Sequence, residues 1–196
     1  MVLTRPTVRA ARDKVALPSW LQKALRWCEH VLAFVGACFI IAHFGFEFAV
    51  ITSGSMAPAL QGDAYATGDR IVIEKVTGWF RSPKRWEIHF FYNEDGIPVA
   101  KRIIGLPGES VSLKKNRIYI NGVEVKRPAW LESRKFLDAG NLSGGREVPC
   151  GNGFYVLGDD SRDSYDSRFT GPVPPAELRG RAILVVWPRS RIGSVR

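Results

Sequence analysis

The sequence predicts a mainly β fold, with one N-terminal transmembrane helix followed by an antiparallel β domain. Three observations predict it: an apolar run over residues 31–50, short β-rich segments after it that are separated by Gly, Pro, Asn and Asp, and an Asn-Gly pair between two alternating segments. The 196 residues have room for one anchor and one domain, because single domains usually run about 100 to 150 residues.

The apolar run reads VLAFVGACFIIAHFGFEFAV, close to the roughly 20 residues that cross a bilayer core. His43 and Glu47 interrupt it near its far end, where a charge costs less than at the centre of the membrane. We therefore predict a transmembrane anchor over residues 28–50. The alternatives are a buried helix of a soluble domain and a cleaved signal peptide, whose apolar region usually has only about 7 to 15 residues.

Basic residues before the run predict the orientation, because cytoplasmic flanks carry an excess of Lys and Arg. Residues 1–27 are expected to form a basic cytoplasmic tail, and residues 51–196 an extracytoplasmic domain at the inner or plasma membrane. The net charge of +9 suits contact with anionic membrane lipid. The extracytoplasmic location argues against nucleic acid as the partner. The cations are Arg5, Arg9, Arg12, Lys14, Lys23 and Arg26.

The β-rich segments end at turn-forming residues, which predicts an antiparallel arrangement of short strands. Asn121-Gly122 is typical of a type I′ hairpin turn. Residues 126–153 are rich in glycine and show no apolar period, so we expect an irregular insertion on the surface. The candidate strands are residues 70–76, 87–92, 99–104, 110–113, 117–120, 154–157 and 182–187.

The cysteines and histidines predict neither a disulfide nor a metal site. Cys28 and Cys38 lie at and within the apolar run, which leaves Cys150 alone in the exported part. The three Cys and three His lack the spacing of metal ligands, and we expect no metal and no cofactor.

Ser53-Gly54-Ser55 and Lys101 are the candidates for chemistry. Small residues around a serine let the backbone approach a substrate carbonyl, and a neighbouring amine can take the serine proton only if it is neutral. Burial at the edge of a β core would have to lower the pKa of Lys101 from about 10.4 towards neutral. The alternative is a non-enzymatic anchored domain in which both residues are ordinary loop and surface positions.

Four sequence blocks in order, behind an apolar segment, resemble the type I signal peptidases, which are membrane-anchored Ser-Lys serine endopeptidases. The blocks are residues 53–60 (SGSMAPAL), 68–75 (GDRIVIEK), 101–109 (KRIIGLPGE) and 158–168 (GDDSRDSYDSR). The resemblance implies a signal-peptidase-like β domain. It also implies an enzyme that removes N-terminal signal peptides from exported preproteins.

The resemblance also assigns roles to residues. Ser55 would be the nucleophile and Lys101 the general base, with the Ser55 main-chain N–H and the Ser53 hydroxyl forming the oxyanion hole. Ser164 would hydrogen-bond the lysine and orient it. Three further residues would hold the fourth block against the lysine strand as structural ion pairs: Arg102, Asp166 and Arg168.

For the substrate, Met56 and Leu60 are expected to form walls of shallow pockets that accept small side chains. An extended peptide would add as a strand beside residues 51–53 or 99–101, so that main-chain hydrogen bonds supply affinity.

The fourth block departs from the common family pattern GDNRDNSxDSR at its middle positions, which here are Asp160, Ser161, Arg162 and Asp163. This altered middle resembles related enzymes of conjugative transfer that mature pilins, so pilin processing is the alternative function. A self-cleaving repressor of the LexA type also joins a serine loop to a strand lysine. It would need a DNA-binding helix-turn-helix, however, where this chain has a basic tail and an apolar run.

Overall fold

A computed structural model describes residues 18–93 and 95–196. The chain divides into two compact units, residues 1–41 and residues 42–196. The first 17 residues of the predicted basic tail lie outside the described residues.

The apolar run forms most of helix α1, Ser19–Gly45, the one helix in the described ranges that is long and apolar enough to cross a membrane. Large apolar side chains are exposed all around it, among them Leu32, Phe34 and Phe39. The helix differs from the predicted anchor at both ends, since it begins before residue 28 and ends before residue 50.

The last five residues of the predicted anchor form strand β1, Phe46–Val50, which pairs with β2. Glu47 lies in this strand and forms an ion pair with Lys75 at 2.6 Å, so it is not a charge inside a helix. Because the end of the helix and the strand after it are both apolar, the sequence has no signal at the boundary between them. The end of the helix was therefore predicted at residue 50, five residues after Gly45.

All the strands pair antiparallel, which confirms the predicted mainly β fold. The strands after β1 are β2 Arg70–Glu74, β3 Ile88–Tyr92, β4 Pro98–Gly105, β5 Ser110–Lys114, β6 Arg117–Ile120, β7 Val123–Glu124, β8 Val148–Pro149, β9 Tyr155–Leu157, β10 Leu178–Trp187 and β11 Gly193–Ser194. A short helix, α2, spans Ser167–Thr170.

The strands form two sheets. The larger, seven-stranded sheet has the order β1-β2-β10-β3-β4-β9, with β11 paired to β10. The smaller sheet has the order β7-β6-β5-β8. At its hairpin, Asn121 and Gly122 have φ angles of 49° and 77°, which confirms the predicted type I′ turn.

Strand β4 positions the functional residues. It is buried from Ala100 to Gly105, and successive side chains of a strand point to opposite faces, so Lys101 and Arg102 face opposite sides of the sheet. β3 pairs along the whole first half of β4, with His89 opposite Lys101. β9 pairs with β4 only from Arg102 onward, so no described strand lies on the other edge of Val99–Lys101.

The segment 126–153, expected to be an irregular surface insertion, contains short 3₁₀ turns and strand β8, and several of its side chains lie in the core. The 3₁₀ turns, at Ala129–Leu131 and Gly140–Gly145, and the loops beside them place isolated apolar side chains in the core. Those side chains have no period along the sequence, so their burial could not be predicted. They are Leu131, Phe136, Leu142 and Cys150.

Candidate active site

Ser55 lies in a single 3₁₀ turn, Gly54–Met56, which follows the extended Ser53. Its Oγ is 2.7 Å from the Nζ of Lys101, and the side chains of both residues are buried. The Ser53 Oγ is 3.3 Å from the Ser55 Oγ. The Ser55 carbonyl accepts a hydrogen bond from the Asp160 N–H at 3.1 Å, which joins this turn to the fourth sequence block.

The buried position of Lys101 changes its acid–base chemistry. Lys101 is only 4% exposed, and the desolvation of its amine lowers its pKa to about 8. The carboxylate of Asp166 acts in the opposite direction, because a nearby negative charge favours the ammonium form. An appreciable fraction of the amine is therefore neutral near physiological pH.

Arg102, on the opposite face of β4, is fully buried and fully paired. Its Nε and one terminal nitrogen donate to the two carboxylate oxygens of Asp159, each at 2.6 Å. The guanidinium also donates to the Trp86 carbonyl at 2.7 Å and stacks over the Trp130 ring. The sequence placed Arg102 in one cluster with Asp166, but its partner is Asp159. The alternation of β4 accounts for the difference, because it turns Arg102 away from the lysine face.

Asp166 and Arg168 form the predicted ion pair within the fourth block. Arg168 donates to both oxygens of Asp166, at 2.8 and 2.9 Å. The Gly158 N–H donates to the same carboxylate at 2.9 Å. This carboxylate therefore fixes the loop that packs against Ser55.

The hydroxyl of Ser164 makes a different contact from the predicted one with Lys101. Its hydroxyl donates to Asp166 Oδ2 at 2.7 Å, and no hydrogen bond joins it to Lys101 in the described ranges. A Cβ added at Gly158 would lie 2.2 Å from the Ser164 Oγ and 2.6 Å from the Ser55 carbonyl oxygen. Ser164 therefore lies close to the Ser55 turn, and it contacts the carboxylate that faces the lysine.

Met56 and Leu60 were predicted as pocket walls, but the structure places both in the hydrophobic core with Ile51 and Ile71. Neither lines the open cleft next to Ser55. An apolar residue that follows a functional serine can face the core or a pocket, and spacing alone does not distinguish the two.

The Ser55–Lys101 pair opens into a cleft of about 600 Å³. Sequence reasoning missed most of its other lining residues, because they come from separate loops and carry no common motif. The residues missed include Asp95, Asp163, Tyr165 and Glu177, whereas Val99 belongs to the segment 99–101 that was predicted to bind the peptide. In the described ranges, no group of three or more His, Cys, Asp and Glu side chains is arranged to hold a metal ion.

Comparison with known proteins decides the family. A protein-family model described as "Signal peptidase, peptidase S26" matches residues 24–187, which include the Ser55 turn, the lysine strand and the fourth block. The chain belongs to the signal peptidase family, peptidase S26. It is therefore a serine endopeptidase with the function of signal peptidase I, and the resemblance inferred from the four blocks is confirmed.

Similar proteins of the family come from several bacteria. "Probable signal peptidase I-2" of Synechocystis is 33% identical over 97% of this chain and 85% of the relative. "Signal peptidase I" of Leptolyngbya laminosa is 34% identical over 79% of this chain and 75% of the relative. A crystal structure of a signal peptidase I from Enterococcus faecalis V583 shares 31% identity over 52% of this chain and 97% of that chain, with a TM-score of 0.42.

Proposed function

We propose that Ser55 is the nucleophile and Lys101 the general base with which this peptidase cleaves signal peptides from preproteins. The observation that carries the proposal is the 2.7 Å contact between the Ser55 Oγ and the Lys101 Nζ in a buried setting. Serine is a weak nucleophile until a neighbouring base takes its proton. A lysine whose pKa is about 8 can be that base.

The reaction uses this pair twice. The neutral Lys101 amine takes the Ser55 proton as the Oγ attacks the scissile carbonyl carbon. The tetrahedral intermediate collapses to an ester on Ser55, and the leaving amine, which becomes the new N-terminus, takes the proton from Lys101. A water molecule then attacks the ester while Lys101 again accepts a proton. Lys101 returns this proton to the Ser55 Oγ as the ester C–O bond breaks, and the signal peptide leaves with a free carboxylate.

The negative oxygen of the intermediate needs donors beside Ser55. The Ser55 N–H lies in the first turn of a 3₁₀ segment, where such groups have no partner inside the helix. The Ser53 hydroxyl lies 3.3 Å from the Ser55 Oγ and can turn towards a developing oxyanion. Donors of this type commonly contribute about 10² to 10³ in rate.

The substrate peptide binds in extended form along β4. The edge of Val99–Lys101 that faces away from β3 has no described strand beside it, and both end residues line the cleft. A peptide on this edge would make main-chain hydrogen bonds that are independent of its sequence. It would bring one of its carbonyl groups to Ser55.

Helix α1 anchors the enzyme to the membrane where its substrates emerge. A helix that is apolar on all sides and exposed is suited to lipid. The basic residues near its start favour a cytoplasmic N-terminus, with the peptidase domain, which includes strand β1 from Phe46, at the extracytoplasmic surface of the inner or plasma membrane. Anionic lipid is then a neighbour of the positively charged domain.

Replacing the nucleophile tests the proposal. Ser55→Ala removes the attacking oxygen and little volume, so the purified full chain should fold normally and lose cleavage of a preprotein by at least about 10⁴-fold. Ser143→Ala, at an exposed serine in another loop, is the matched control and should cleave at the parent rate. Turnover of Ser55→Ala near the parent rate would refute the assignment.

A further inference from the structure

The cleft has the opposite charge from the rest of the molecule. The chain carries a net charge of +9, yet the described residues that line the cleft include four carboxylates and a single cation, Lys101. Asp166 is neutralised by Arg168. The other three, Asp95, Asp163 and Glu177, are exposed and form no ion pair within the described part of the chain.

One of these carboxylates lies beside the reacting atoms. A Cβ added at Gly54 would lie 2.9 Å from Asp163 Oδ2, so the carboxylate covers the residue before Ser55. Its negative charge opposes the larger effect of burial on the pKa of Lys101, as expected for a carboxylate near that amine. Asp163 occupies one of the four altered positions of the fourth block.

The cleft becomes more acidic in the state that reacts. Lys101 must be neutral to accept the Ser55 proton, and its loss of charge removes the one cation that the described residues contribute to the lining. A cleft lined by charges of one sign attracts ligands of the opposite sign. The ring of Tyr165 also lines the cleft, is largely exposed and is stacked on Phe169, so a cation could lie over its open face.

We propose that this cleft selects peptides that carry a lysine or arginine close to the scissile bond, and that Asp95, Asp163 and Glu177 recognise the cation. The proposal rests on the function proposed above, in which a peptide lies in this cleft at the Ser55–Lys101 pair. Exposed ion pairs are weak, so each carboxylate should contribute about a twofold to fivefold preference.

The test compares peptides that share one scissile sequence and differ at one flanking position, which carries Lys, Gln or Glu. Each position on either side of the scissile bond is examined in turn, with the full chain in detergent. At one or more positions the Lys peptide should have a kcat/KM at least about fivefold above the Gln peptide, and the Glu peptide should be the poorest. The preference should shrink at high salt. Equal rates for the three peptides at every position would overturn the proposal.

Neutral variants identify the carboxylates responsible. Asp163→Asn, Asp95→Asn and Glu177→Gln, singly and together, should reduce the ratio between Lys and Gln peptides, and the triple variant should lose most of it. Asp138→Asn, at an exposed carboxylate outside the cleft, should keep the parent ratio. Because each ratio is internal to one variant, it does not depend on how much enzyme is folded. An unchanged ratio in the triple variant would refute the role of these residues. A parent enzyme that cleaves no peptide at all would instead refute the proposed function.

Discussion

Lys101 and Arg102 are neighbours on β4 and both side chains are buried, but the partners that surround them differ. Arg102 has a carboxylate that binds two of its nitrogens and two carbonyl acceptors, from Trp86 and Arg196. Lys101 has a hydroxyl as its hydrogen-bond partner, and the carboxylate that faces it is already bound to Arg168. The charge of the first side chain is compensated by its partners, and the second side chain can lose its proton.

The comparison shows that burial does not by itself make a base. Removing a cation from water is expensive, and the protein either compensates the charge with partners or shifts the equilibrium towards the neutral form. For Arg102 the partners compensate. For Lys101 burial prevails over the neighbouring carboxylates, and the pKa falls to about 8.

The largest effect is expected from making the two positions alike. Lys101→Arg puts a guanidinium at the base position, and a group with a pKa above about 12 cannot take the serine proton. Preprotein cleavage should fall by at least about 10⁴-fold, measured as kcat/KM. Lys114→Arg, at an exposed lysine at the end of β5, is the control and should retain the parent activity. An active Lys101→Arg enzyme would contradict the proposal that Lys101 is the general base.

A smaller effect, a loss of stability, is expected from replacing Arg102 on the opposite face of β4. Arg102→Met removes the main partner of Asp159, whose side chain is fully buried, and leaves that carboxylate with a single cation, Arg134, at 3.7 Å. Breaking a buried pair in this way costs about 3 to 5 kcal/mol. Denaturant unfolding should show this loss, and adding Asp159→Asn to Arg102→Met should recover part of it. A loss of less than about 1 kcal/mol would mean that Arg102 is not held as described.

The smallest effect is expected from Ser164→Ala, which tests whether Ser164 affects the pKa of Lys101 through Asp166. Without this donor, Asp166 keeps more of its negative charge facing the lysine and stabilises the ammonium form. The acidic limb of the kcat/KM profile should move up by about half a pH unit to one unit, with little change in the rate above it. Ser112→Ala, at a buried serine of the smaller sheet, should leave the limb in place. A pH-independent loss with lower stability would indicate a purely structural serine.

The sequence predicted the pairing of Ser55 with Lys101 better than it predicted the contacts around that pair. Ser55, Lys101 and the β fold follow from ordered blocks and from short alternating segments, which are local signals. The partner of Arg102 depends on which face of β4 each side chain takes and on where a distant loop returns. Its identity as Asp159 could therefore not be read from spacing.

The same reasoning explains the other differences. The end of the helix at Gly45 lies inside a continuous apolar run, and nothing local marks the change to strand β1. The core contacts of Met56 and Leu60, and of the apolar residues in segment 126–153, are decided by tertiary packing. The acidic lining of the cleft comes from separate segments that meet only in the folded chain.

The pH dependence of kcat/KM tests most directly whether a buried, neutral Lys101 is the base. The measurement uses the full chain with one preprotein or peptide substrate, and it reports the pKa of the essential group in the free enzyme. Lys101 must lose its proton to act, so the rate should rise with pH through a single limb near pH 8 and fall about tenfold for each pH unit below it. A limb near the ordinary lysine value of about 10.4, or a profile that stays flat below pH 8, would contradict the account.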